Sequence, residues 1–262
     1  VNVTFKHCGE HLASSRYRAI IPTAELAKLG IGPGSEWVVM NKHNWNWDEQ
    51  TAGYSKKCFD VCDDNFDHPQ WGEHYHLCCL KADLVTCNSA EMQRVIRERT
   101  GKDAIAIPDP YEQPEKPARV HDKLLWFGHR TNLRDLAPWV GKLKNLEVVS
   151  NFEGTTQWSP QEMDRAFDRA GLVVIPTGKS MAKSANRAIE SLRRGLFPVC
   201  GYLPSYGDLG VYVGDIGDGV KWALSHQDEV ISRIKRAQAY IRGEYSPKRI
   251  GALWKAALLG GN

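Results

Sequence analysis

Apolar residues in this chain fall into short continuous runs, separated by stretches in which they recur every third or fourth position. The runs at 2–6, 37–40, 57–62, 83–87, 104–107, 124–127, 146–149 and 172–175 have the length of strands. Between them the helical period predicts helices over 20–29, 71–81 and 90–99, from 132 to about 143, and over 159–169. Past a polar and glycine-containing segment at 211–218, helices follow at about 220–224 and 229–240 and over 247–259. The last is amphipathic through Ile250, Leu253, Trp254 and Ala257. Breakers agree with these bounds: Gly30 and the Gly32-Pro33-Gly34 turn stop the first helix, while Asn88-Ser89 and Gly101 bracket the helix over 90–99. The stretches 8–18 and 44–55 read as loop.

Strands alternating with helices imply parallel sheets, because a parallel crossover needs a helix-sized connection. The alternation is interrupted at 111–119, where two prolines and four charges stand without apolar period, as in a linker. The fold expected is therefore α/β, with two Rossmann-like doubly wound domains at 1–112 and 120–245 and a cleft between them. Residues 246–262 form a C-terminal helix placed to pack back on the first domain. Ligands of such sheets sit at the carboxyl ends of the strands. The polar clusters at 7–18, 41–43, 63–64, 128–132 and 177–183 fall there.

One stretch, 179–201, concentrates the candidate chemistry: a loop with two lysines, a helix starting near Ser184, and a strand. At 100° per residue, Lys183, Asn186, Arg187 and Glu190 share one helix face, and Ala185, Ala188, Ile189 and Leu192 share the opposite one. A helix N-terminus beside lysines suits an anion, since free backbone N–H groups and cationic side chains converge. The alternative is an ordinary surface helix with a solvated polar face.

Composition narrows the picture modestly. Of 262 residues, 42% are hydrophobic and 25% charged, which fits a globular chain and argues against disorder. The net charge of +3 permits anionic ligands without demanding nucleic acid. No apolar run approaches the ~18 residues of a membrane span, and no signal peptide is visible, so a cytoplasmic location is expected. The seven cysteines are odd in number and scattered, which fits reduced, buried thiols. Cys58-x3-Cys62 followed by His74-x-His76-x-Cys78-Cys79 lacks the paired spacing of structural zinc sites, and no metal site is expected.

Four segments together are similar to the family 4 (group 1) glycosyltransferases of the GT-B fold. They are S-S-R-Y-R-A-I-I-P-T-A-E-L-A-K-L-G (14–30), A-D-L-V-T-C-N-S-A-E-M-Q-R-V-I (82–96) with I-P-D-P (107–110), L-W-F-G-H-R-T-N-L (125–133), and K-S-A-N-R-A-I-E-S-L-R-R-G-L-F-P-V (183–199). The resemblance spans most of the chain. It implies retaining sugar transfer from a nucleotide sugar as co-substrate, without a bound metal or other cofactor, and the chain indeed lacks an Asp-x-Asp motif. By the same resemblance, Glu190 accepts hydrogen bonds from the nucleotide ribose, and Lys179 or Lys183, with Arg130, neutralises the diphosphate. Ser184 and the backbone around it complete the phosphate cradle, with Gly128 and Asn186 among the donor-binding residues. Two departures stand out. Ala182 occupies the place of the first glutamate of the family's Glu-x7-Glu pattern, and His11-Leu12-Ala13-Ser14-Ser15-Arg16 replaces the usual Gly-Gly loop.

The first domain is then expected to face the acceptor. Asp63 or Asp64 orients or deprotonates an acceptor hydroxyl, unless the two are turn-forming aspartates. His43, with His7 and His68, is a candidate for the same region, and Ser15, Arg16 and Arg18 are candidates for acceptor binding. Trp45, Trp47 and Trp71 offer stacking surfaces or cover the core. The acceptor classes considered are a glycan, a lipid, or hydroxymethylated pyrimidines in bacteriophage DNA. For DNA, Arg16, Arg18, Lys42, Lys56 and Lys57 would form a basic lip. The non-enzymatic alternative, motivated by Ala182, is a module that binds a nucleotide or glycan without transfer.

Overall fold

The computed structural model describes residues 1–10, 12–42, 46–178 and 180–260. The chain divides into two units: Val1–Glu112 with Ala182–Ser184 and Gly243–Asn262, and Gln113–Met181 with Ala185–Arg242.

The first unit holds a five-stranded parallel sheet of β1 (Val3–Lys6), β2 (Trp37–Asn41), β3 (Lys56–Val61), β4 (Leu84–Cys87) and β5 (Ile105–Ala106), in that spatial order. Alternation along the strands sends Trp37, Val39 and Cys58 to one face and Val38, Met40 and Phe59 to the other. The first face is covered by α2 (Ile21–Lys28) through Leu26 and by α11 (Pro247–Gly260) through Ile250, Trp254 and Leu258. The second face is covered by α3 (Trp47–Thr51), α4 (Gly72–Lys81) and α5 (Ala90–Thr100), through Trp47, Tyr75, Met92 and Ile96.

The strand order never reverses, so every crossover steps the same way across this sheet. Yet the helix between β1 and β2 lies on the opposite face from those that follow. Crossovers stepping the same way on opposite faces have opposite hands. The β1–α2–β2 crossover therefore differs in hand from those that follow it. Helices thus cover both faces of this sheet without the strand reversal that accompanies double winding elsewhere.

The second unit has that reversal. Its parallel sheet, in spatial order β11-β10-β9-β6-β7-β8, contains β6 (Leu124–Phe127), β7 (Leu146–Ser150), β8 (Thr156–Gln157), β9 (Leu172–Ile175), β10 (Phe197–Cys200) and β11 (Tyr212–Val213). The chain winds outward from β6 to β8, returns to β9 beside β6, and winds outward the other way. The switch point lies between β6 and β9.

Several elements differ from the sequence expectation, each for a physical reason. The stretch 44–55, expected as loop, contains α3, because Trp47 is buried against Phe59 with ring centroids 5.8 Å apart. The helix expected from 132 to 143 breaks into a 3-10 turn at Arg130–Asn132, α6 (Leu133–Leu136) and a second 3-10 turn at Ala137–Trp139. Pro138 lacks the amide that a continued helix would need. The segment 8–18, expected as loop, turns helical at α1 (Ala13–Ser15), followed by a π-helical turn at Arg16–Ile20 that runs into α2. This turn buries Tyr17, Arg18 and Ala19. The expected linker is an ordered strap on the second unit: the Lys116 amide donates to the Arg193 carbonyl at 2.8 Å and the Arg119 amide to the Gly195 carbonyl at 2.9 Å.

Candidate functional site

Two buried runs, β6 and β9, end side by side at the switch point and release their loops from the same edge of the sheet. The β6 loop begins at Gly128, whose amide is held by the Val149 carbonyl at 3.2 Å. A Cβ there would come within 3.2 Å of the Trp126 ring, so glycine keeps this turn open. His129 caps the following 3-10 turn, and Arg130, exposed, is anchored by its amide to Asn151 Oδ1 at 2.8 Å.

Helix α8 (Asn186–Arg193) arrives from the β9 side. Its core-facing Ala188, Ile189 and Leu192 are buried, but so are Glu190, Ser191 and Arg193. The solvated polar face of a surface helix is thus ruled out for its middle and end. Arg187 reaches from α8 to the end of β6, where its Nη1 donates to the Phe127 carbonyl at 3.4 Å. Burial without a bonded carboxylate lowers its pKa, offset in part by Tyr206, Cys200 and Asp135. Burial likewise pushes the Cys200 thiol up to about 12 and the Tyr206 hydroxyl well above its ordinary value.

The α8 end of this arrangement is clamped by the strap. Arg193 pairs with Glu115 at 2.6 Å, Arg194 bonds Asp164 and Gln113, and Gln238 Nε2 donates to the carbonyls of Lys116 and Leu192 at 2.9 Å. Side chains at the start of α8 are therefore presented from a fixed support.

Of the donor-binding candidates, Gly128, Arg130, Asn186 and Glu190 all lie in the second unit, on the β6 loop and α8. Lys179 lies outside the described residues. Lys183 and Ser184 belong by their contacts to the first unit, together with Ala182. Ser184 does not cap α8: the cap position is Ala185, without a side-chain bond, and the Ser184 hydroxyl bonds the Asp109 carboxylate instead. Ala182 is 2% exposed in the apolar cluster of Val61, Cys87 and Met92. A glutamate there would put a carboxylate among apolar side chains, so packing in the first unit accounts for this departure.

The first-unit candidates separate into two groups. Arg18 is fully buried: Nε donates to Asp60 Oδ2 at 3.0 Å, Nη2 to Asp60 Oδ1 at 2.6 Å, and Nη1 to the Ile107 carbonyl. Asp60 is held in turn by Asn41 at 2.9 Å and Thr86 at 2.8 Å. Arg18 is thus engaged in a buried ion pair, and Ser15 is also fully buried. Arg16 is engaged by Glu112 in a two-pronged pair at 2.5 and 3.2 Å.

The second group stands at the carboxyl ends of β2 and β3. Asp63 pairs with Lys42 at 2.8 Å, and the pair raises the Lys42 pKa against the opposing effect of its own burial. Lys42 has φ of 63°, a left-handed conformation that costs energy for a side chain of this kind. Asp64 is exposed, and His43 lies outside the described residues.

The proposed basic lip does not assemble. Arg18 is internal, Lys42 follows β2 at its carboxyl end, and Lys56 and Lys57 open β3 at its amino end, which in parallel strands is the opposite edge. Of the cysteine–histidine cluster, Cys58 lies in the apolar layer of Trp37 and Cys78 and Cys79 in the layer of Phe59, with His74 Nε2 3.4 Å from Cys78 Sγ.

Sequence reasoning missed Asp60 and Asp109, the two carboxylates of the buried network. It placed Arg187 on the polar face of its helix without giving it a role. Asp60 sits within an apolar strand run, and that misplaced charge was the available signal. Among the described residues, a hollow of about 440 Å³ lies beside Trp47 and His74 in the first unit, and one of about 520 Å³ lies beside Lys123 and Asn145, at the amino ends of β6 and β7, in the second.

No family model matches the chain, and no curated protein matches it. Solved structures do. HepE from Anabaena in complex with UDP-glucose aligns over 99% of both chains with a TM-score of 0.70 at 10% identity. TarM aligns over 90% of this chain and 57% of its own, with a TM-score of 0.64 at 14% identity. Sucrose-phosphate synthase from Thermosynechococcus elongatus aligns over 97% of this chain and 80% of its own, with a TM-score of 0.62 at 10% identity. This chain therefore spans less than two thirds of TarM and nearly all of HepE. At these identities the likeness establishes the fold, which is GT-B.

Proposed function

We propose that this chain is a glycosyltransferase that moves a sugar from a UDP- or GDP-linked donor to an acceptor hydroxyl. The observation that carries this reading is the switch point of the second unit. There the Gly128 turn, Arg130 and the Glu190 helix meet the carboxyl ends of β6 and β9, in a fold shared end to end with a protein solved with UDP-glucose. A strand-order reversal opens a crevice at that edge. Cationic side chains and an open glycine turn suit a diphosphate, and a carboxylate one helical turn after Asn186 suits two vicinal ribose hydroxyls.

In this reading the second unit binds the nucleotide and the first presents the acceptor, with the Lys42–Asp63 pair as the candidate for orienting the attacking hydroxyl. Retention of configuration and independence of a metal ion are carried with the proposal from the sequence resemblance, and a cytoplasmic setting from the general reading of the sequence. A carbohydrate or lipid hydroxyl is the favoured acceptor. The DNA alternative rested on a basic lip whose members lie on different edges of the first unit or inside it.

The test is a titration of the purified chain with UDP, GDP and their sugar conjugates by calorimetry, followed by release of nucleoside diphosphate in the presence of EDTA. Binding plus turnover supports the proposal. Failure of every nucleotide to bind ends it. Binding without hydrolysis or transfer on any donor favours the non-catalytic module, a reading kept open by the buried Ala182 where the resemblance expects a carboxylate.

A further inference from the structure

Among the described residues, the buried and half-buried arginines of this protein are each neutralised or saturated, with one exception. Arg18 has Asp60, Arg193 has Glu115, and Arg194 has Asp164. Arg119 has no carboxylate, but it spends its donors on the carbonyls of Phe167, Ala170 and Arg194. Arg187 has neither arrangement. Its single hydrogen bond goes to the Phe127 carbonyl at 3.4 Å, near the limit of a useful bond, and no carboxylate lies within ion-pair distance. A guanidinium has five donors, and at this half-buried position the protein accepts from only one of them.

The position of this unspent cation is specific. Nη1 lies 3.5 Å from where a Cβ of Gly128 would stand, so the missing side chain at Gly128 leaves the space in front of the guanidinium open. The groups that face it from neighbouring elements are Asp135 on α6, Cys200 at the end of β10 and Tyr206 beyond it. Asp135 is turned toward the Gly178 backbone, where its carboxylate would collide with any added Cβ. Both thiol and phenol are held neutral by burial. The guanidinium is thus left at the switch point without a bonded counter-charge.

We infer that Arg187 is a direct binding residue for the diphosphate of the donor, seated by a two-pronged guanidinium–phosphate contact across the Gly128 turn. The inference rests on the nucleotide-sugar reading above and adds a residue to it. A phosphate oxygen supplies the acceptors that the protein withholds, and the planar fork of arginine matches phosphate geometry better than an ammonium does. The partial desolvation of the guanidinium is then an asset, since a charge-assisted bond strengthens where water is excluded. Its location at the end of a rigid, strap-clamped helix means that little further ordering is needed on binding.

The experiment compares UDP with uridine by calorimetry on the wild type, Arg187→Met and Arg187→Lys. The expected result is a loss of about 10- to 100-fold in UDP affinity for Arg187→Met, a smaller loss for Arg187→Lys, and unchanged uridine affinity. A second measurement uses the wild type alone, so that a misfolded variant leaves the inference exposed. Phenylglyoxal modification of Arg187, read by peptide mass spectrometry, should be suppressed by UDP and not by uridine. If the wild type binds UDP while Arg187→Met binds it equally well, or while UDP leaves Arg187 modification unchanged, the inference falls and the nucleotide-sugar reading stands. If the wild type binds neither UDP nor GDP, both fall together.

Discussion

Arg18 and Asp60 form a two-pronged ion pair inside the first unit, with bonds of 3.0 and 2.6 Å and both side chains at most 1% exposed. The arginine comes from the π-helical turn before α2 and the aspartate from the middle of the sheet, so the pair fixes that turn against β3. Thr86, Asn41 and the Ile107 carbonyl complete it.

Removing one member strands the other. Asp60→Ala leaves a fully buried guanidinium with only the more distant Asp109 for charge, and should destabilise the first unit by about 3–5 kcal/mol. Denaturant unfolding followed by circular dichroism measures this. Nucleotide affinity of the folded fraction should be unchanged, since the pair lies in the first unit. A selective loss of acceptor binding with wild-type stability would contradict a structural role for Arg18.

The buried thiols predict alkaline sensitivity. Burial raises the Cys200 thiol from 9.0 to about 12 in the folded state. Above pH 9 the unfolded chain loses this proton while the folded one keeps it, so stability is complete below that value and declines until about pH 12. The slope is about 1.4 kcal/mol per pH unit for each thiol so held. Cys79 and Cys87 are pushed up to about 12 for the same reason and add to it. Unfolding free energies at pH 8, 9 and 10 check the sign, and Cys200→Ala should flatten the slope.

The strap over α8 depends on Gly195. Its φ of 75° is left-handed, and a Cβ would collide with the Pro117 carbonyl. Gly195→Ala should cost about 2–4 kcal/mol through combined strain and overpacking. Thermal unfolding reads the loss, and limited proteolysis should show new cleavage between 113 and 119. Resistance equal to wild type would mean that the strap is held by its side-chain contacts alone.

Glu190 provides a test of the ribose assignment that is separate from the phosphate. Glu190→Gln keeps the shape and removes the charge, and should lower UDP affinity about 10-fold. A 2′-deoxy nucleotide should lose less affinity in the variant than in the wild type, because the bond it lacks is already weakened. Equal losses in both proteins would place Glu190 away from the ribose.

Local periodicity was enough to reveal most strands and helices of this chain, since apolar runs and 3.6-residue spacing are written in neighbouring positions. The strand before α8 and the presence of that helix were legible in the same way, and so was the likeness to GT-B sequences that the solved structures then matched as a fold. What local pattern could not carry was anything decided by partners far along the chain. Trp47 nucleates a helix only because Phe59 is there to cover it. Arg18 reads as an exposed helix-start charge until Asp60, 42 residues on, takes it into the core. The strand order, sequential in one sheet and reversed between β6 and β9 in the other, is a matter of non-local pairing to which periodicity is blind. Ser184 reads as a helix cap, and the fold gives its hydroxyl to Asp109. Sequence alone thus determined which segments form which elements and where polar chemistry gathers. Tertiary structure decided which charges are spent inside the protein and which, like Arg187, are left for a ligand, because burial and pairing exist only once distant segments meet.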